Sequence, residues 1–422
     1  MTSLSLSGKD RLKLALSHRE ADRVPLYEGA FSSKLASQIL GRMVFIPSNG
    51  GSSFRHFLLA AQDGPDATRD AAIASAQAGV ELYATLGIDM IRVRVTDFLA
   101  PVDFGYGNYG ANALFDAEII TLTDNRWRIN GPEGFWSEHV FEPATDAMMC
   151  VDHAVCHGGL EAFERYVDVI ERNPAEVPAQ AMAGIAGVQA AVAAAQSTGT
   201  FVVGWGDVAY PGASPYLTIF LMAMRKSPAL VQRYMEVTTE GALAFVNAQI
   251  DAGVDGILGG NDWCFKTGPM FSLADFRTFF VPHLRRIVDA CHARGLPYIK
   301  HLDGNTTVLL DSLVNEVGID GYHAIEPEAG MDIFALKHTY GDRITLLGNL
   351  DCGELLTNGT PDQVAQRVRE ILRGVSPGGG HVFGSSNSIH DAVKLENLYA
   401  MLDTAHKFGV YPIQASNEEI HS

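Results

Sequence analysis

The sequence predicts an α/β fold, a single (β/α)8 TIM barrel with an inserted β-hairpin region between the second and third strands. Two patterns predict it: eight short β-branched or apolar runs that each follow a polar or glycine turn, and segments of helical period between most of them. The predicted strands are 23–27, 89–95, 201–205, 256–259, 297–301, 321–325, 344–348 and 381–384. Strands that alternate with helices run parallel, and eight of them close into a barrel.

Helices are predicted where apolar residues recur at spacings of three and four, as they do in 275–294. Two helix starts also carry capping signals. Ser272 lies three residues before Asp275, and Thr360 lies three residues before Gln363 with a proline between them. These signals place the starts of two barrel helices.

A long segment separates the second predicted strand from the third. Residues 96–150 are predicted to be an insertion that covers the barrel mouth. Within it, 113–136 alternates like a β-hairpin whose turn lies at Asp124 and Asn125. The whole chain, 1–422, is otherwise predicted to be one domain with a flexible tail at 415–422.

Composition narrows the classes of partner. The chain has 31 basic and 49 acidic side chains and a formal net charge of −18, which disfavours nucleic acid and anionic membranes. We find neither a signal peptide nor a stretch approaching the ~20 apolar residues of a membrane-spanning helix. Five unpatterned cysteines indicate reduced thiols. We therefore expect a cytoplasmic protein that acts on a small molecule; a homodimer stays open, since many barrels dimerise.

Polar side chains recur at or just after the C-terminal ends of the predicted strands, the face of a barrel that holds the active site. Because such side chains rarely lie buried without partners, their recurrence predicts one shared pocket. The ring comprises Glu28, Arg94, Asp207, Asn261, Asp262, His301, Asp303, Glu326, Asn349, Asp351, Ser385 and Ser386.

His301 gives the sharpest local signal in this ring, because an imidazole ends a strand and the carboxylate of Asp303 follows two residues later. Asp262 follows two glycines that let the backbone approach a ligand. Glu326 precedes Pro327, which fixes the backbone there. One imidazole with several carboxylates suits zinc or a harder divalent ion, although the spacing alone leaves metal binding open.

Structural roles compete with functional ones at several of these positions. Asparagine, aspartate and serine after a strand also cap helices or close turns, which applies to Asn349, Asp351 and Ser386. Glu28 and Arg94 can pair with each other across the mouth. Cys264 is expected to be a small buried apolar group rather than a metal ligand.

Several segments carry a resemblance to a known family. They are KDRLKLALSHREADRVP at 9–25, GGND at 259–262, the segment 268–297, HLDGN at 301–305, the segment 318–351, LLTNGTPDQV at 355–364, GGGHVFGSSNSI at 378–389 and LEN at 395–397. Together they resemble the uroporphyrinogen decarboxylase superfamily over nearly the whole chain, least well between Thr96 and Thr200. The resemblance implies a barrel with its active site at the mouth.

Members that decarboxylate uroporphyrinogen carry an arginine-rich RQAGR-type motif after the first strand, whose cations hold the substrate's carboxylates. Here that place reads YEGAFSSKLASQ (27–38), where Glu28 would repel a polycarboxylate. The chain therefore resembles the corrinoid-dependent methyltransferase-like members more closely. In these, the barrel moves a methyl group between a small molecule and the cobalt of a corrinoid carried on a partner protein.

Members that act on coenzyme M bind zinc through a His-x-Cys pair and a later Cys beside the last strand. This chain matches at His301 but has Asp303, and Ser385 or Ser386, in place of the two cysteines. An oxygen-rich site disfavours a thiol acceptor. The resemblance therefore implies a methyl ether or similar methylated substrate, with aromatic O-demethylation included.

On this hypothesis His301, Asp262 and Glu326 are the catalytic groups and the zinc ligands, or proton donors. Trp205, Trp263 and Tyr322 would hold an apolar or ring-bearing group. The predicted substrate-binding residues are Glu28, Arg94, Trp205, Asp207, Asn261, Trp263, Asp303, Tyr322, Asn349, Asp351 and Ser385.

Two alternatives remain. One is a decarboxylase or related lyase that acts on a small acid without a corrinoid partner, with Arg94 and Lys266 as carboxylate anchors. The other is a non-catalytic barrel that binds a small molecule. Much of the preference for methyl transfer comes from fold analogy, and one fold hosts many reactions.

Overall fold

The structure, a computed structural model, describes residues 6–47, 50–94, 118–172, 179–212 and 214–413. The strands are β1 (Met90–Arg92), β2 (Glu118–Thr123), β3 (Arg126–Asn130), β4 (Trp136–Glu142), β5 (Ala147–His153), β6 (Phe201–Trp205), β7 (Gly256–Gly260), β8 (Cys264–Phe265), β9 (Gly268–Pro269), β10 (Tyr298–Leu302), β11 (Gly321–Ala324), β12 (Thr345–Leu350) and β13 (His381–Ser385). The helices are α1 (Gly8–Leu16), α2 (Ser33–Leu40), α3 (Gly51–Gln62), α4 (Pro65–Thr85), α5 (Gly159–Arg172), α6 (Ala179–Thr198), α7 (Leu217–Lys226), α8 (Pro228–Asp251), α9 (Leu273–Phe279), α10 (Val281–Ala293), α11 (Thr307–Ser312), α12 (Ile333–Tyr340), α13 (Leu355–Asn358), α14 (Pro361–Val375) and α15 (Leu395–Phe408).

The α/β barrel prediction is confirmed. Seven parallel strands form one curled sheet in the order β1-β6-β7-β10-β11-β12-β13. The predicted first strand, 23–27, contributes single bridges rather than a regular strand: Leu26 bridges Phe383 and Tyr27 bridges Met90, both in parallel. Hydrogen bonds from Tyr27 N to Phe383 O (2.9 Å) and from Asp89 N to Leu26 O (3.0 Å) join this segment to both edges of the sheet. The ring is therefore closed by a segment shorter than the sequence predicts.

Side chains alternate between the inside and the outside of this barrel. The interior cluster contains Leu12, Ala15, Tyr27, Met90, Phe201, Val203, Trp205, Leu258, Ile299, Leu347 and Val382. A larger cluster fills the space between the sheet and the helices. Helix α1 contributes Leu12 and Ala15 to the interior, and Thr345 Oγ1 donates to Ala15 O (3.2 Å) near the start of β12. Helix α1 thus closes the N-terminal end, and the loops after the strands form the other end.

The insertion contains a four-stranded antiparallel sheet in the order β2-β3-β4-β5. Asp124 and Asn125 form the turn between β2 and β3, because Thr123 pairs with Arg126. The sheet packs on helix α3 through a small apolar cluster of Leu58, Trp127 and Ile129. Residues 95–117 lie outside the described residues, so coverage of the barrel mouth stays a prediction, as does the tail at 415–422.

The predicted helix starts at Ser272 and Thr360 are confirmed, since both residues form complete capping boxes. The segment 275–294 is not one helix, however: α9 ends at Phe279 and α10 begins at Val281. Pro282 lacks the N–H that would continue the hydrogen-bond ladder, which accounts for the break. Among the described helices, none combines the length and the apolar character needed to cross a membrane.

Candidate active site

Two adjacent strands bring an imidazole and two carboxylates together at the open end of the barrel. Strand β7 ends at Gly260 and leads to Asp262, and β10 carries His301 next to Asp303. One ligand atom from each of Asp262, His301 and Asp303 lies within 4.8 Å of the other two. We call these three residues the His301 cluster.

The imidazole of His301 is held by a second histidine. His301 Nδ1 lies 2.7 Å from His323 Nδ1, and the two rings stack with centroids 4.9 Å apart. One of these nitrogens donates and the other accepts, so the contact fixes the plane of the His301 ring. Its Nε2 then faces Asp303 Oδ1 at 3.4 Å.

Asp303 is held on its other oxygen. Asn387 Nδ2 donates to Asp303 Oδ2 at 2.8 Å, and Asn387 Oδ1 accepts from Ser388 N at 2.8 Å, which sets the direction of the amide. Asp303 Oδ1 is buried and has no hydrogen-bond donor in the described part of the chain. His301 and Asp303 therefore each present one atom to the cluster and have the other fixed.

Burial acts on every ionisable group here. It lowers the pKa of His301 well below the ordinary value, and the charges of His323 and Arg92 add to the effect. Burial, with the charges of Asp262 and Glu326, raises the pKa of Asp303 well above the ordinary value. Burial also raises the pKa of Asp262 to about 6, although Lys300 opposes it. The cluster thus combines a neutral imidazole with carboxylates that repel each other, an arrangement that a divalent cation would relieve.

Glu326, predicted as a ligand, lies beside the cluster. Its Oε2 accepts from Gly304 N at 2.7 Å, which ties it to the loop that carries Asp303. Its charge raises the pKa of both Asp262 and Asp303. Glu326 is therefore near the site, but one of its oxygens is used in holding the loop.

Trp263 and Tyr322 face the helices rather than the barrel interior, and Asp207 is held in a buried ion pair. Both aromatic rings belong to the cluster between sheet and helices, and Tyr322 Oη lies 2.5 Å from Thr306 Oγ1. Asp207 is fully buried and pairs with Lys300, which is also fully buried. The Lys300 ammonium lies 4.0 Å from the centre of the Trp263 ring. These three residues are therefore not assigned as substrate contacts, because Trp263 and Tyr322 pack among the helices and the Asp207 carboxylate is occupied by Lys300.

Five more predicted residues make hydrogen bonds that hold the structure around the cluster. Asn261 Nδ2 donates to Val208 O, and Asn349 Nδ2 donates to Ile325 O at 2.8 Å. Asp351 Oδ1 accepts from Glu354 N at 2.8 Å. Ser385 donates to Glu28 from its amide (2.9 Å) and its hydroxyl (2.5 Å), so Glu28 pairs with the last strand.

Two further residues named from the sequence are Cys264, close to Asp262 of the cluster, and Lys266, at the surface. Burial, aided by Asp262, raises the pKa of the Cys264 thiol to about 12, which opposes thiolate ligation. Lys266 is exposed and pairs with Glu328 at 2.7 Å. Lys266 therefore lies outside the barrel interior.

A wall of two arginines and Trp205 adjoins the cluster. The guanidinium carbons of Arg92 and Arg94 each lie 5.0 Å from the centre of the Trp205 ring. A Cβ on Gly260 would lie 2.5 Å from Trp205 Cη2 and 2.9 Å from His301 Cδ2. Gly260 thus lets the indole and the imidazole approach each other.

Sequence reasoning missed His323, Asn387, Lys300 and Arg92. Strand period offers a signal for two of them, since Arg92 is two residues from Arg94 and His323 lies in the predicted sixth strand. Lys300 directly precedes His301, and a lysine inside an apolar strand is itself unusual. No local pattern distinguishes Asn387, because it lies in a loop.

Residues 211–408 match the family model described as Uroporphyrinogen decarboxylase (URO-D). This match agrees with the resemblance found in the sequence, covers just under half of the chain and contains the whole His301 cluster. The chain is 28% identical over 201 residues to uroporphyrinogen decarboxylase from Pseudoalteromonas atlantica, covering 47% of this chain and 54% of that protein. It is 30% identical over 195 residues to the same protein from Azoarcus sp., covering 45% and 51%. The chain thus spans about half the length of these curated relatives.

Structural similarity to a solved protein covers more of this chain than the sequence matches do. A methyltransferase from Methanosarcina mazei superposes with a TM-score of 0.62 at 17% identity and covers 96% of this chain and 99% of that one. At that identity the likeness shows a shared fold. It includes the part of the barrel before residue 211, to which Arg92, Arg94 and Trp205 belong.

Proposed function

We propose that this chain, which carries a uroporphyrinogen decarboxylase family domain on a methyltransferase-like fold, is a methyltransferase that moves a methyl group from a small methylated substrate to a corrinoid protein. The ligand set we propose for zinc is Asp262, His301 and Asp303. Asp303 replaces Glu326 in the set predicted from sequence. Glu326 instead holds the loop that carries Asp303, through its hydrogen bond from Gly304 N.

The observation that supports this proposal is the geometry of the His301 cluster. In a tetrahedral zinc site with bonds of roughly 2.0–2.1 Å, neighbouring ligand atoms lie roughly 3.3 Å apart. His301 Nε2 and Asp303 Oδ1 are 3.4 Å apart. A ligating histidine also bonds through its other nitrogen to an orienting group, and His323 occupies that position. The donor set therefore fits zinc.

Three protein ligands leave a fourth position open, as in catalytic rather than structural zinc sites. When bound, zinc supplies a Lewis acid that can polarise the heteroatom leaving the methyl group. An imidazole with two carboxylates is a harder donor set than one with two thiolates, so we infer an oxygen-linked methyl group. The corrinoid of a partner protein would receive the methyl.

The chain's own residues then have separate roles. His323 and Asn387 hold the imidazole and the Asp303 carboxylate in place, and Glu326 holds the Gly304 amide. Trp205 offers an apolar wall for the substrate next to His301. The closed N-terminal end of the barrel leaves the loop end as the direction from which the corrinoid partner would approach.

A decarboxylase of a small carboxylic acid is the second candidate, and the buried Arg94 supports it. The other anchor proposed for that reaction, Lys266, is exposed and paired with Glu328. Substrate loss with release of carbon dioxide and without a corrinoid would favour this candidate over methyl transfer.

Metal content tests the proposal directly. We expect about one zinc per chain in the purified protein and its loss in His301→Ala and Asp303→Asn, because each change removes a ligand atom. The matched control is His157→Ala, since His157 pairs with Asp152 in an exposed contact on the insertion side. Cys264→Ser should also keep the metal. Elemental mass spectrometry measures all five proteins.

Wild-type protein that takes up no zinc, even after incubation with the ion, would contradict the ligand assignment. For the reaction, methyl ethers are mixed with reduced corrinoid, and its methylation is followed by absorbance. We expect methylation to depend on His301 and Asp303 and to be unaffected in His157→Ala. Zinc binding without any methylated corrinoid across neutral and acidic ethers would count against methyl transfer.

A further inference from the structure

Two arginines point into the barrel from the strand before the insertion. Met90 belongs to the interior cluster, whereas Ile91 and Val93 belong to the outer one. Alternation therefore turns Arg92 and Arg94 inward, on the same side as Met90. Both are buried, with exposed fractions of 5% and 4%. The barrel interior thus holds two guanidinium groups close together.

These arginines and the His301 cluster share one wall. Both guanidinium groups lie over Trp205, and the edge of its indole and the His301 ring both lie beside Gly260. The charges of both arginines also act on His301, where they add to burial and to His323 in lowering its pKa. Trp205 therefore connects the two arginines to the side of the barrel that carries His301.

We propose that Arg92, Arg94 and Trp205 form a carboxylate-binding subsite beside the His301 cluster, so that the methylated substrate carries a carboxylate group. This inference rests on the proposed methyl-transfer function, because that function supplies the methylated substrate. Binding of the carboxylate itself does not need the metal. A guanidinium has five N–H donors in a planar fork that matches a carboxylate. An arginine that already has contacts within the protein can therefore still bind one.

Burial makes such binding stronger than it would be at the surface. Charge-assisted hydrogen bonds are stronger where water is excluded, and both side chains are almost fully covered. The chain offers a surface counterpart: Arg128 lies 4.4 Å from the centre of the Trp136 ring, but its side chain is 39% exposed and pairs with Glu138. Arginine over tryptophan thus occurs both in the barrel interior and at the surface.

Calorimetric titration of the full chain with benzoate tests the subsite, because the ring can lie against Trp205 while the carboxylate meets the arginines. Benzamide is the neutral control, and inorganic phosphate tests for a different oxyanion. Each titration uses protein as purified and protein treated with a chelator, so that coordination to a metal is excluded. We expect saturable benzoate binding in both forms and at least tenfold weaker binding of benzamide.

Arg94→Gln should weaken benzoate binding tenfold or more. Arg94→Lys, which keeps the charge but loses the fork, should weaken it less. Arg128→Gln should leave it unchanged. Thermal melts establish that each variant is folded, and Arg94→Lys keeps the test usable if the neutral variant is not.

Three results would overturn the subsite: no saturable benzoate binding by the wild type, equal binding of benzoate and benzamide, or no effect of either Arg94 variant. Tighter binding of phosphate than of benzoate would overturn the carboxylate assignment. Failure of the proposed function is separate, because it would appear as absence of zinc or of corrinoid methylation while benzoate still bound.

Discussion

Glu28 gives a pH-dependent stability that can be worked out from its surroundings. Its side chain is 1% exposed and receives hydrogen bonds from the amide and the hydroxyl of Ser385. Burial raises the pKa of this carboxyl group from the ordinary 4.5 to about 7, and the bonds from Ser385 offset the increase only in part. The folded protein therefore holds a proton that the unfolded chain releases.

The sign follows from this difference. Below pH 4.5 the group is protonated in both states and has no effect on stability. Between pH 4.5 and about 7 the unfolded chain loses its proton first, so the free energy of unfolding falls as pH rises. The gap between the two pKa values corresponds to a loss of about 3 kcal/mol, complete above about pH 7.

Glu28→Gln copies the neutral form of the side chain. Its amide oxygen can accept from Ser385 N, and its amide nitrogen can donate to Ser385 Oγ, whose own proton can go to Asn387 O at 2.8 Å. We expect the variant to gain about 3 kcal/mol relative to the wild type between pH 4.5 and pH 8.

Urea denaturation followed by circular dichroism at the two pH values measures this change. Glu164→Gln, at an exposed position on α5, is the control and should show no comparable gain. Parallel pH dependence in wild type and Glu28→Gln would refute the reasoning, because it would mean that the buried carboxyl group does not titrate in this window.

Two further predictions concern the surroundings of the cluster. Lys300→Met should lower the free energy of unfolding by about 3–5 kcal/mol, because it leaves Asp207 buried without its partner. Urea denaturation measures this loss, and the double variant Lys300→Met with Asp207→Asn should lose less. A loss in the double variant that equals or exceeds that of Lys300→Met would contradict the prediction. Asn387→Leu should weaken zinc binding about 10–100-fold, because Asp303 loses its orienting donor. Competition with a chelating indicator measures the zinc affinity. Asn315→Leu is the control, since Asn315 makes the same contact with Asp311 at the surface. An equal loss of zinc affinity in both variants would contradict a positioning role for Asn387.

The barrel was predictable because its signals are local and repeated. Each strand is a short apolar run, and the caps at Ser272 and Thr360 use hydrogen bonds within one turn. The first strand is the exception: the sequence predicts a full strand at 23–27, but the structure has single bridges there. How many pairs a strand makes depends on neighbours from the far ends of the chain, Met90 and Phe383, which no local pattern contains.

The site was predictable as a place but not as a set of contacts. Because His301, Asp262 and Asp303 lie at or just after strand ends, the sequence predicts that they are neighbours, and in the structure they are. The same rule also brought in Trp263 and Tyr322, because it ignores which face of the strand each side chain takes. Strand period would have separated them: Ile299 and His301 face inward, and Tyr298 and Leu302 face outward with the helices.

The exchange of Glu326 for Asp303 in the proposed ligand set shows what sequence position leaves undetermined. Both acids follow barrel strands, and the charge of Glu326 acts on Asp303. Each has one oxygen held by a hydrogen bond, Glu326 Oε2 by Gly304 N and Asp303 Oδ2 by Asn387 Nδ2. Among the described residues, however, it is Asp303 and not Glu326 that has an atom within 4.8 Å of the ligand atoms of Asp262 and His301. A carboxylate can bind a metal through an oxygen that has no hydrogen-bond donor in the folded protein. The direction of Asp303 Oδ1 depends on Asn387, which holds Oδ2 and lies more than eighty residues away along the chain. The ligand set proposed for zinc therefore depends on tertiary contacts, which sequence position does not give.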